Sequence, residues 1–250
     1  MHQYKNKEWL YNKYINEKYT QESIGKLCNV CQDTIWKWLH KHNIHSRSFS
    51  EANHLAMANH CNLSCEAIEW INGELLGDGS IQSQSKYSAR FTYGSKYKEY
   101  IEYVRDTLMS FGIEQAGKIN KRKDKKLGNI CYYYCSRCYP ELLLIRNKWY
   151  PEGKKIIPRD IKLTSLVLRQ HYIGDGCLNH TKYGKPSIKL CTYGYSIIDV
   201  EYFIKELIKL GIKTTRNIQN VVYISTYSTK EFLEYIGECP VKCYKYKWAY

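Results

Sequence analysis

The stretch Ile71-Asn-Gly-Glu-Leu-Leu-Gly-Asp-Gly79 has a counterpart later in the chain, Leu168-Arg-Gln-His-Tyr-Ile-Gly-Asp-Gly176. Each copy is an apolar stretch with helical spacing that ends in Gly-Asp-Gly. A single Asp-Gly pair would be an ordinary turn at the end of a helix. Because two copies occupy comparable places, the sequence predicts two similar halves, each of which delivers one acidic residue to a shared site.

The segments that follow the two copies repeat one order of elements, as hydrophobic periodicity and turn residues indicate. In the first half, the pattern predicts strands over 81–84 and 88–93, a helix over 97–111, strands over 117–122 and 129–136, and a helix over 140–149. In the second half, it predicts a strand over 187–193, a helix over 197–210, strands over 213–218 and 221–226, and a helix over 229–236. The predicted fold is therefore α+β, with two pseudo-symmetric αββαββα repeats over 66–160 and 161–250.

Residues 1–50 form a predicted small all-α helix-turn-helix domain. Thr20 has the place of an N-cap for a helix over 21–27, and a short turn leads to a second helix over 31–41. In DNA-binding proteins with this arrangement the second helix enters the major groove, and its candidate DNA contacts include Gln32, Thr34 and Lys37. A small helical bundle that binds nothing is the alternative. Residues 51–65 are predicted to be a linker or a connecting helix.

The chain is strongly basic. Its 250 residues include 38 Lys and Arg against 24 Asp and Glu, a formal net charge of +14, and such a balance attracts polyanions. It has no apolar run of about 18 residues, so no membrane partner is expected. The N-terminus is polar and lacks a signal-peptide core, so we expect an intracellular protein of the cytoplasm, the nucleoid or an organelle matrix.

The 11 cysteines are expected to be reduced thiols in such a compartment. Close pairs leave a structural zinc site open as an alternative, although their spacings fit no standard zinc finger. These pairs are Cys28/Cys31, Cys61/Cys65, Cys135/Cys138 and Cys239/Cys243.

The glycines of the two motif helices predict how the acids meet. Gly73 and Gly77 are four residues apart and share one helix face, so another helix can approach them closely. Packing along this face would bring Asp78 and Asp175 together at two helix C-termini. Two carboxylates repel each other there and oppose the helix dipoles. A divalent cation relieves both problems, and carboxylates with backbone carbonyls are oxygen ligands suited to Mg²⁺ or to another divalent cation such as Mn²⁺.

With these two motifs, the chain from about residue 67 to its end resembles the LAGLIDADG homing endonucleases, in the form that carries both motifs on one chain. The resemblance implies two saddle-shaped antiparallel sheets that lie in the DNA major groove, and double-strand cleavage with one strand cut per active site. It implies that Asp78 and Asp175 are the metal-binding catalytic acids. It also implies that Gly77 and Gly174 lie at the helix interface, where their carbonyls help to bind metal.

Two lysines also match the family. The stretch Trp149-Tyr-Pro-Glu-Gly-Lys-Lys-Ile-Ile-Pro158 looks like the end of a first repeat, and Lys155 corresponds to the basic residue near the scissile phosphate. The closing stretch looks like the end of a second repeat, where Lys245 is given that place. For Lys242 and Lys247 we expect phosphate anchoring only. Glu74, Gln170 and His171 depart from the family pattern within the motifs and are interpreted as packing variants.

Base reading is expected from outward positions of the strands, where Arg pairs with guanine and Gln or Asn with adenine. The candidates in the first half are Gln82, Gln84, Ser88, Arg90 and Thr92, and in the second half Asn179, Lys182, Ser187, Lys189 and Tyr223. An alternation wrong by one residue would exchange these for core positions. Lys121 and Arg122 lie in a basic cluster that is expected to contact phosphates.

These features predict a site-specific, metal-dependent double-strand DNA endonuclease with an added DNA-binding module. Because its halves differ, we expect a monomer that reads a long asymmetric target, as in intron homing. A non-cleaving transcription regulator and an intron RNA maturase on the same fold are the alternatives. Retention of both acids and both matched lysines argues against the regulator, whereas the maturase stays open, with intron RNA as a further partner.

Overall fold

The computed structural model describes residues 2–83, 85–123, 128–180 and 185–250. The chain divides into two compact units, residues 1–58 and residues 59–250. The predicted repeats both lie in the second unit, which has one continuous hydrophobic core. Within the described ranges, no helix is both long and apolar enough to cross a bilayer. The candidates Gln84 and Lys182 lie outside the described residues.

The first unit is helical. Its elements are α1 (Lys7–Tyr11), which continues as a π-helical turn (Asn12–Asn16), then α2 (Gln21–Cys28), α3 (Gln32–Lys41) and α4 (Phe49–Met57). The Oγ1 atom of Thr20 accepts a hydrogen bond from the backbone N of Ser23 at 3.0 Å, so Thr20 caps α2 as predicted. The predicted linker is in part helical, since α4 extends into it.

A tight turn joins α2 to α3. Asn29 has a φ of 51°, which ends α2 in the left-handed region. A Cβ atom at Gly25 would lie 2.6 Å from the carbonyl O of Val30, so only glycine lets this turn fold back onto α2. Ile24, Ile35, Leu39 and neighbouring residues form a small core. Leu27 is 59% exposed and lies outside this core, because α2 turns Ile24 and Gly25 inward.

The second unit is built around the two motif helices, α5 (Cys65–Leu76) and α8 (Ser165–Asp175). Each begins at a hydroxyl cap. Ser64 Oγ accepts from the backbone N of Ala67 at 3.1 Å, and Thr164 Oγ1 accepts from the backbone N of Val167 at 3.3 Å. Both helices are buried over most of their length, which accounts for the apolar sequence of both motifs.

Each half of the second unit contributes an antiparallel sheet, and the described strands form two sheets of four. The first sheet contains β1 (Ser80–Gln82), β2 (Arg90–Ser95), β3 (Asn120–Lys123) and β4 (Ile130–Cys135), in the order β1-β2-β4-β3. The second contains β5 (Gly176–Asn179), β6 (Ser187–Leu190), β7 (Thr214–Arg216) and β8 (Val222–Ile224), in the order β5-β6-β8-β7. The equal order in both sheets confirms the predicted α+β fold with two related halves.

The remaining helices cover one face of each sheet. They are α6 (Lys98–Ser110) and α7 (Pro140–Trp149) in the first half, and α9 (Ile197–Lys209) and α10 (Thr229–Ile236) in the second. A 3-10 helix, Lys242–Trp248, follows α10. Phe91 and Tyr93 of β2 are buried, whereas Arg90 and Thr92 are not. The sequence therefore predicted the outward residues of β2 on the correct face. The face of each sheet that the helices do not cover is open to solvent.

Glycine decides how closely α5 and α8 pack. A Cβ atom at Gly73 would lie 2.6 Å from the carbonyl O of Val167 and 2.7 Å from the Cβ atom of Gln170. At the other end of the pair, a Cβ atom at Gly77 would lie 3.4 Å from the Cα atom of Gly174. The helices are thus in backbone contact, as the spacing of Gly73 and Gly77 predicts.

We expect Gly73→Ala to destabilise the protein, because the new methyl group collides with the backbone of α8. Helix propensity alone would favour alanine by about 1 kcal/mol, yet overpacking should lower the free energy of unfolding by about 2 kcal/mol or more. Urea unfolding measures the change. Gly194→Ala is the control, since no atom lies within 4 Å of the position that its Cβ atom would take, and it should shift stability by less than about 0.5 kcal/mol. Equal stabilities of the two variants would contradict the close contact.

Candidate functional site

The two acids meet where the motif helices end. A Cβ atom at Gly174 would lie 3.2 Å from the backbone N of Asp78 and 3.4 Å from the Cα atom of Gly77. Asp78 and Asp175 directly follow these two glycines. The contact between the helix ends therefore places both carboxylates at one location, as the repeated motif predicts.

The carboxylates perturb each other. Burial and, to a smaller extent, the charge of Asp78 raise the pKa of Asp175 to about 7, against the opposing charges of Lys155 and Lys247. Asp78 is exposed at the mouth of a groove, yet the surrounding protein atoms still raise its pKa against the effect of the same two lysines. Without further positive charge nearby, the two carboxylates together retain one proton at pH values up to about neutral.

The donor set suits a hard divalent cation. Among the described residues, neither Asp78 nor Asp175 accepts a side-chain hydrogen bond or forms an ion pair within 4 Å, so their oxygens are available. The carbonyls of Gly77 and Gly174 each accept one lysine hydrogen bond and keep a second lone pair. The described part of the chain has no group of three or more His, Cys, Asp or Glu that could hold a metal. Carbonyl, water or phosphate oxygens would therefore complete the coordination.

Lys155 reaches the end of the first motif helix. Its Nζ atom donates to the carbonyl O of Gly77 at 3.1 Å and to that of Gly79 at 3.2 Å. Burial lowers the pKa of Lys155 to about 8, and the charges of Asp175 and Asp78 limit this decrease. The structure thus brings Lys155 to the acids, where the family resemblance assigns it.

The corresponding lysine of the second half is Lys247, and the assignment of Lys245 to this place is wrong. Lys247 is 6% exposed, and its Nζ atom donates to the carbonyls of Tyr172, Ile173 and Gly174 at 3.3, 2.5 and 3.3 Å. Burial lowers its pKa to about 8, opposed by Asp78 and Asp175. Lys245 is exposed.

The geometry of the 3-10 helix explains this correction. With three residues per turn, positions two apart point to different sides, so Lys245 and Lys247 cannot both face the acids. The Tyr172 hydroxyl donates to the backbone O of Lys247 at 2.6 Å, and the ring of Trp248 lies 4.9 Å from that of Tyr172. The sequence contained one signal for this choice. The number of residues from Asp78 to Lys155 is matched more closely by the number from Asp175 to Lys247 than by the number from Asp175 to Lys245.

The open face of the first sheet forms a groove of about 650 Å³ that begins at Asp78. The predicted residues Gln82, Arg90, Thr92 and Arg122 line it, together with several that sequence reasoning missed. The missed lining residues include Ser80, Asn120, Tyr133 and Cys135. The alternation of β3 and β4 could have indicated Asn120, Tyr133 and Cys135, and Ser80 lies two residues before Gln82 on the same face of β1.

Two predicted residues of the first half are placed differently. Ser88 precedes β2, and its backbone O accepts from Ser83 Oγ at 2.8 Å, so it belongs to the connection between β1 and β2. Lys121 pairs with Tyr132, whereas Arg122 pairs with Cys131. Because neighbouring residues of a strand point to opposite faces, Lys121 lies on the face opposite the groove that Arg122 lines.

The open face of the second sheet carries the remaining candidates. Asn179 pairs with Ser187, and Lys189 pairs with Tyr223, and none of the four is buried. They form adjacent rows on one face, where they could meet a ligand together.

On α3, Gln32 and Lys37 are exposed. Thr34 is half-buried, with its hydroxyl 3.2 Å from Cys31 Sγ, which makes it a poorer contact candidate. Sequence reasoning missed two residues on this exposed helix face, Trp36 and His40, whose ring centroids lie 4.1 Å apart with the ring planes tilted.

The unusual motif residues face the core. The Tyr100 hydroxyl donates to Glu74 Oε1 at 2.6 Å, and burial raises the pKa of Glu74 to about 8, so this acid is held largely neutral at pH 7. Gln170 Nε2 donates to the Tyr103 hydroxyl at 3.3 Å, and His171 packs against Phe203 with ring centroids 5.4 Å apart. All three residues are therefore core positions, consistent with packing variants. The cysteines are free thiols.

Residues 68–232 match the model of the LAGLIDADG DNA endonuclease family. An uncharacterized protein of Methanocaldococcus jannaschii is 28% identical over 204 residues, which cover 80% of this chain and 77% of the relative. The cytochrome b mRNA maturase bI2 of Debaryomyces hansenii is 26% identical over 171 residues, which cover 61% of this chain and 60% of the maturase. Among solved structures, the homing endonuclease I-WcaI bound to its DNA recognition sequence shares the fold, with a TM-score of 0.64, 22% identity and coverage of 81% of this chain and 93% of that chain.

We expect Asp78→Asn to lower the pKa of Asp175 from about 7 in metal-free protein, because the substitution removes a neighbouring negative charge. Carbon-detected NMR titration of labelled aspartate measures it. The folded chain keeps this proton above the ordinary pKa of 3.8, so ionisation of Asp175 lowers stability as the pH rises toward 7. Asp106→Asn is the control, since Asp106 pairs with Arg105 at the surface. An unchanged pKa in Asp78→Asn would mean that the two acids do not interact.

Proposed function

Since this chain belongs to the LAGLIDADG DNA endonuclease family, we propose that it is a site-specific endonuclease that cuts both strands of duplex DNA with divalent metal. The observation that carries this proposal is the meeting of two unpaired carboxylates, Asp78 and Asp175, at the touching ends of two helices. A lysine from each half reaches the same helix ends. A non-cleaving regulator would need neither the acids nor the lysines.

Asp78 and Asp175, with the carbonyls of Gly77 and Gly174, are the residues that would hold Mg²⁺ or Mn²⁺. The ion would supply an activated water and stabilise the leaving oxygen of the phosphodiester. The task of the protein is to keep two carboxylates close together and ionised. The helix packing enforces their closeness, and the charges of Lys155 and Lys247 favour their ionised forms.

The two lysines are suited to stabilise negative charge that develops on the phosphate during cleavage. Each ammonium group already lies beside the acids, and its pKa of about 8 leaves it mostly charged at neutral pH. Each is fixed by carbonyl hydrogen bonds, so little reorganisation is needed when a phosphate enters.

Sequence recognition is proposed for the open faces of the two sheets. Arg90, Gln82 and Arg122 in the first groove offer donors for base edges and phosphates. Lys189, Asn179 and nearby residues of the second sheet offer a different set, so the target is expected to be long and asymmetric. A monomer suffices, because one chain carries both halves of the site.

The first unit is proposed to be a helix-turn-helix module that adds DNA contacts through α3. The tight turn at Asn29 and the exposed Gln32 and Lys37 support this. Trp36 supplies an apolar surface on the same helix that can contact thymine methyl groups.

An intron RNA maturase is the second candidate, favoured by the similarity to the maturase of Debaryomyces hansenii. If the protein is a maturase, adding it to the cognate precursor RNA that still contains the intron should accelerate splicing. Splicing assistance without DNA cleavage would select the maturase, and DNA cleavage would select the endonuclease. In either case the protein is expected to act inside a cell or organelle, as intron homing requires.

We expect Asp78→Asn and Asp175→Asn each to slow double-strand cutting by roughly 10³-fold or more, because each removes a metal-binding carboxylate. The wild-type protein with Mg²⁺ first selects a target from a randomised duplex library, and cleavage of that target is then followed on gels. EDTA should stop the reaction. Full activity of the double variant would refute the assignment of the site.

The two lysine candidates provide a matched pair for the same assay. Lys247→Met should slow cutting on the order of 10²-fold, because it removes a fixed cation beside the acids. Lys245→Met should cut at the wild-type rate at saturating DNA.

For the helix-turn-helix module, we expect Lys37→Ala to weaken binding of the selected duplex and to flatten the slope of log K against log salt concentration by about 0.9, the effect of one lost phosphate contact. Fluorescence anisotropy at several salt concentrations measures it. Lys13→Ala is the control, because Lys13 is paired with Glu17 at 2.6 Å. A slope unchanged by Lys37→Ala would exclude a phosphate contact at Lys37.

A further inference from the structure

The two segments that carry the lysines are each held by the opposite half of the molecule. The second lysine segment is the 3-10 helix Lys242–Trp248, which belongs to the second half. It contacts Glu99, in the first turn of α6 in the first half. Glu99 Oε1 accepts from the backbone N of Lys242 at 2.8 Å, and Glu99 Oε2 accepts from the backbone N of Cys243 at 3.2 Å.

These two hydrogen bonds have a clear physical role. The first N–H groups of any helix lack partners within that helix, and a carboxylate that accepts two of them forms a charge-assisted contact. Glu99 therefore fixes the start of the 3-10 helix that ends beside Lys247. Among the described residues, it forms no ion pair within 4 Å that would compete for its oxygens.

Tyr244 lies between the residues of the first half and Lys247. Its ring makes edge contacts with Tyr97 at 5.1 Å and Tyr100 at 5.0 Å, both in the first half. The Nζ atom of Lys247 lies 4.9 Å from the centre of the Tyr244 ring. The first half thus sets both the start of the second lysine segment and the aromatic ring against which its lysine rests.

The first lysine segment, residues 154–159, is held in the reciprocal way. Arg159 Nη2 donates to Asp199 Oδ1 at 2.8 Å, and Asp199 lies in the first turn of α9 in the second half. Asp199 is 3% exposed, whereas the side chain of Arg159 is 49% exposed, so only the acid of this ion pair is buried. The Tyr202 hydroxyl of α9 also donates to the carbonyl O of Arg159 at 2.7 Å.

An aromatic ring again accompanies the lysine. Lys155 Nζ lies 5.9 Å from the centre of the Tyr195 ring, which comes from the second half. The Tyr195 hydroxyl donates to the carbonyls of Leu75 and Leu76, at 3.0 and 3.1 Å, on the first motif helix. The two halves therefore use the same device in opposite directions: an acid in the first turn of a helix anchors the segment, and a tyrosine lies beside the lysine.

We propose that Glu99 and Asp199 are positioning residues that act across the two halves, Glu99 on Lys247 and Asp199 on Lys155. The proposed effect on cleavage rests on the endonuclease function proposed above. The proposal assigns each lysine to one of the two strand cuts, so loss of one anchor should impair the cut that depends on its lysine and spare the other. The protein should become a strand-selective nicking enzyme although Asp78, Asp175, Lys155 and Lys247 are all unchanged.

The first test needs no DNA. The full chain is treated briefly with an acetylating reagent, and mass spectrometry compares modification of Lys155 and Lys247. In Glu99→Ala, labelling of Lys247 should rise about fivefold or more relative to wild type while Lys155 stays unchanged. In Asp199→Asn, the selectivity should reverse. Arg159→Ala removes the same contact from its other end and should match Asp199→Asn, so the test does not depend on one variant's folding.

The matched controls are Glu102→Ala on α6 and Glu206→Ala on α9, which lose only surface pairs with Lys98 and Lys209. Both should label as wild type. A rise at both lysines in Glu99→Ala, as general loosening would give, or a rise at neither, would overturn the positioning role.

The second test follows each strand of the wild-type-selected target in a supercoiled plasmid with Mg²⁺. Glu99→Ala should slow the strand that Lys247→Met also slows, by about 10-fold to 100-fold, and Asp199→Asn should slow the other strand. The double variant Glu99→Ala with Lys247→Met should be no slower than Lys247→Met alone. Equal slowing of both strands would overturn the proposal. Absence of any cutting by wild-type protein would instead refute the endonuclease function, and the labelling result would still decide the positioning role.

Discussion

The contact between the backbones at Gly77 and Gly174 is the constraint on which the remaining structure depends. Two helices approach so closely only where side chains are absent, and the glycines stand one residue before the two acids. The core of the second unit, the two caps at the helix starts and the sheets on either side all hold this contact in place. The acids are close because the helices are close, and their chemistry follows from that geometry.

That geometry makes ionisation of both acids unfavourable, and the lysines offset this only in part. Burial and mutual repulsion favour a shared proton on the acids, while two lysine ammonium groups draw the pair toward ionisation. The lysines are themselves weakened as cations by burial. Burial disfavours the charged forms of both the acids and the lysines. A divalent cation from solution would therefore stabilise the ionised acids, and an incoming phosphate would stabilise the charged lysines. The arrangement is therefore suited to the state in which a divalent cation and a phosphate are both bound.

The sequence predicted the elements that periodicity controls. The motif helices, the order of strands and helices, and the outward face of β2 all follow from local patterns, and so does the cap at Thr20. The choice between Lys245 and Lys247 did not follow, because it depends on a 3-10 helix whose phase is fixed by Tyr172 and Trp248 in three dimensions. The separation of Lys121 from the groove that Arg122 lines did not follow from their membership in one basic cluster, because adjacent strand residues face opposite ways. Glu99 and Asp199 gave no signal, since an acid early in a helix is ordinary and their partners are distant in sequence.

The pairing of Gly73 with Gln170 has a consequence for how the halves can combine. At this level the first half has no side chain, and the Cβ atom of Gln170 from the second half lies 2.7 Å from the position that a Cβ atom on Gly73 would take. Two copies of the first half would face each other across an empty space, and two copies of the second half would collide through their glutamines. The interface therefore recognises unlike halves only. Once such complementary surfaces exist, a return to a symmetric assembly of identical subunits requires both positions to change together, which makes the asymmetry of this molecule difficult to reverse during evolution.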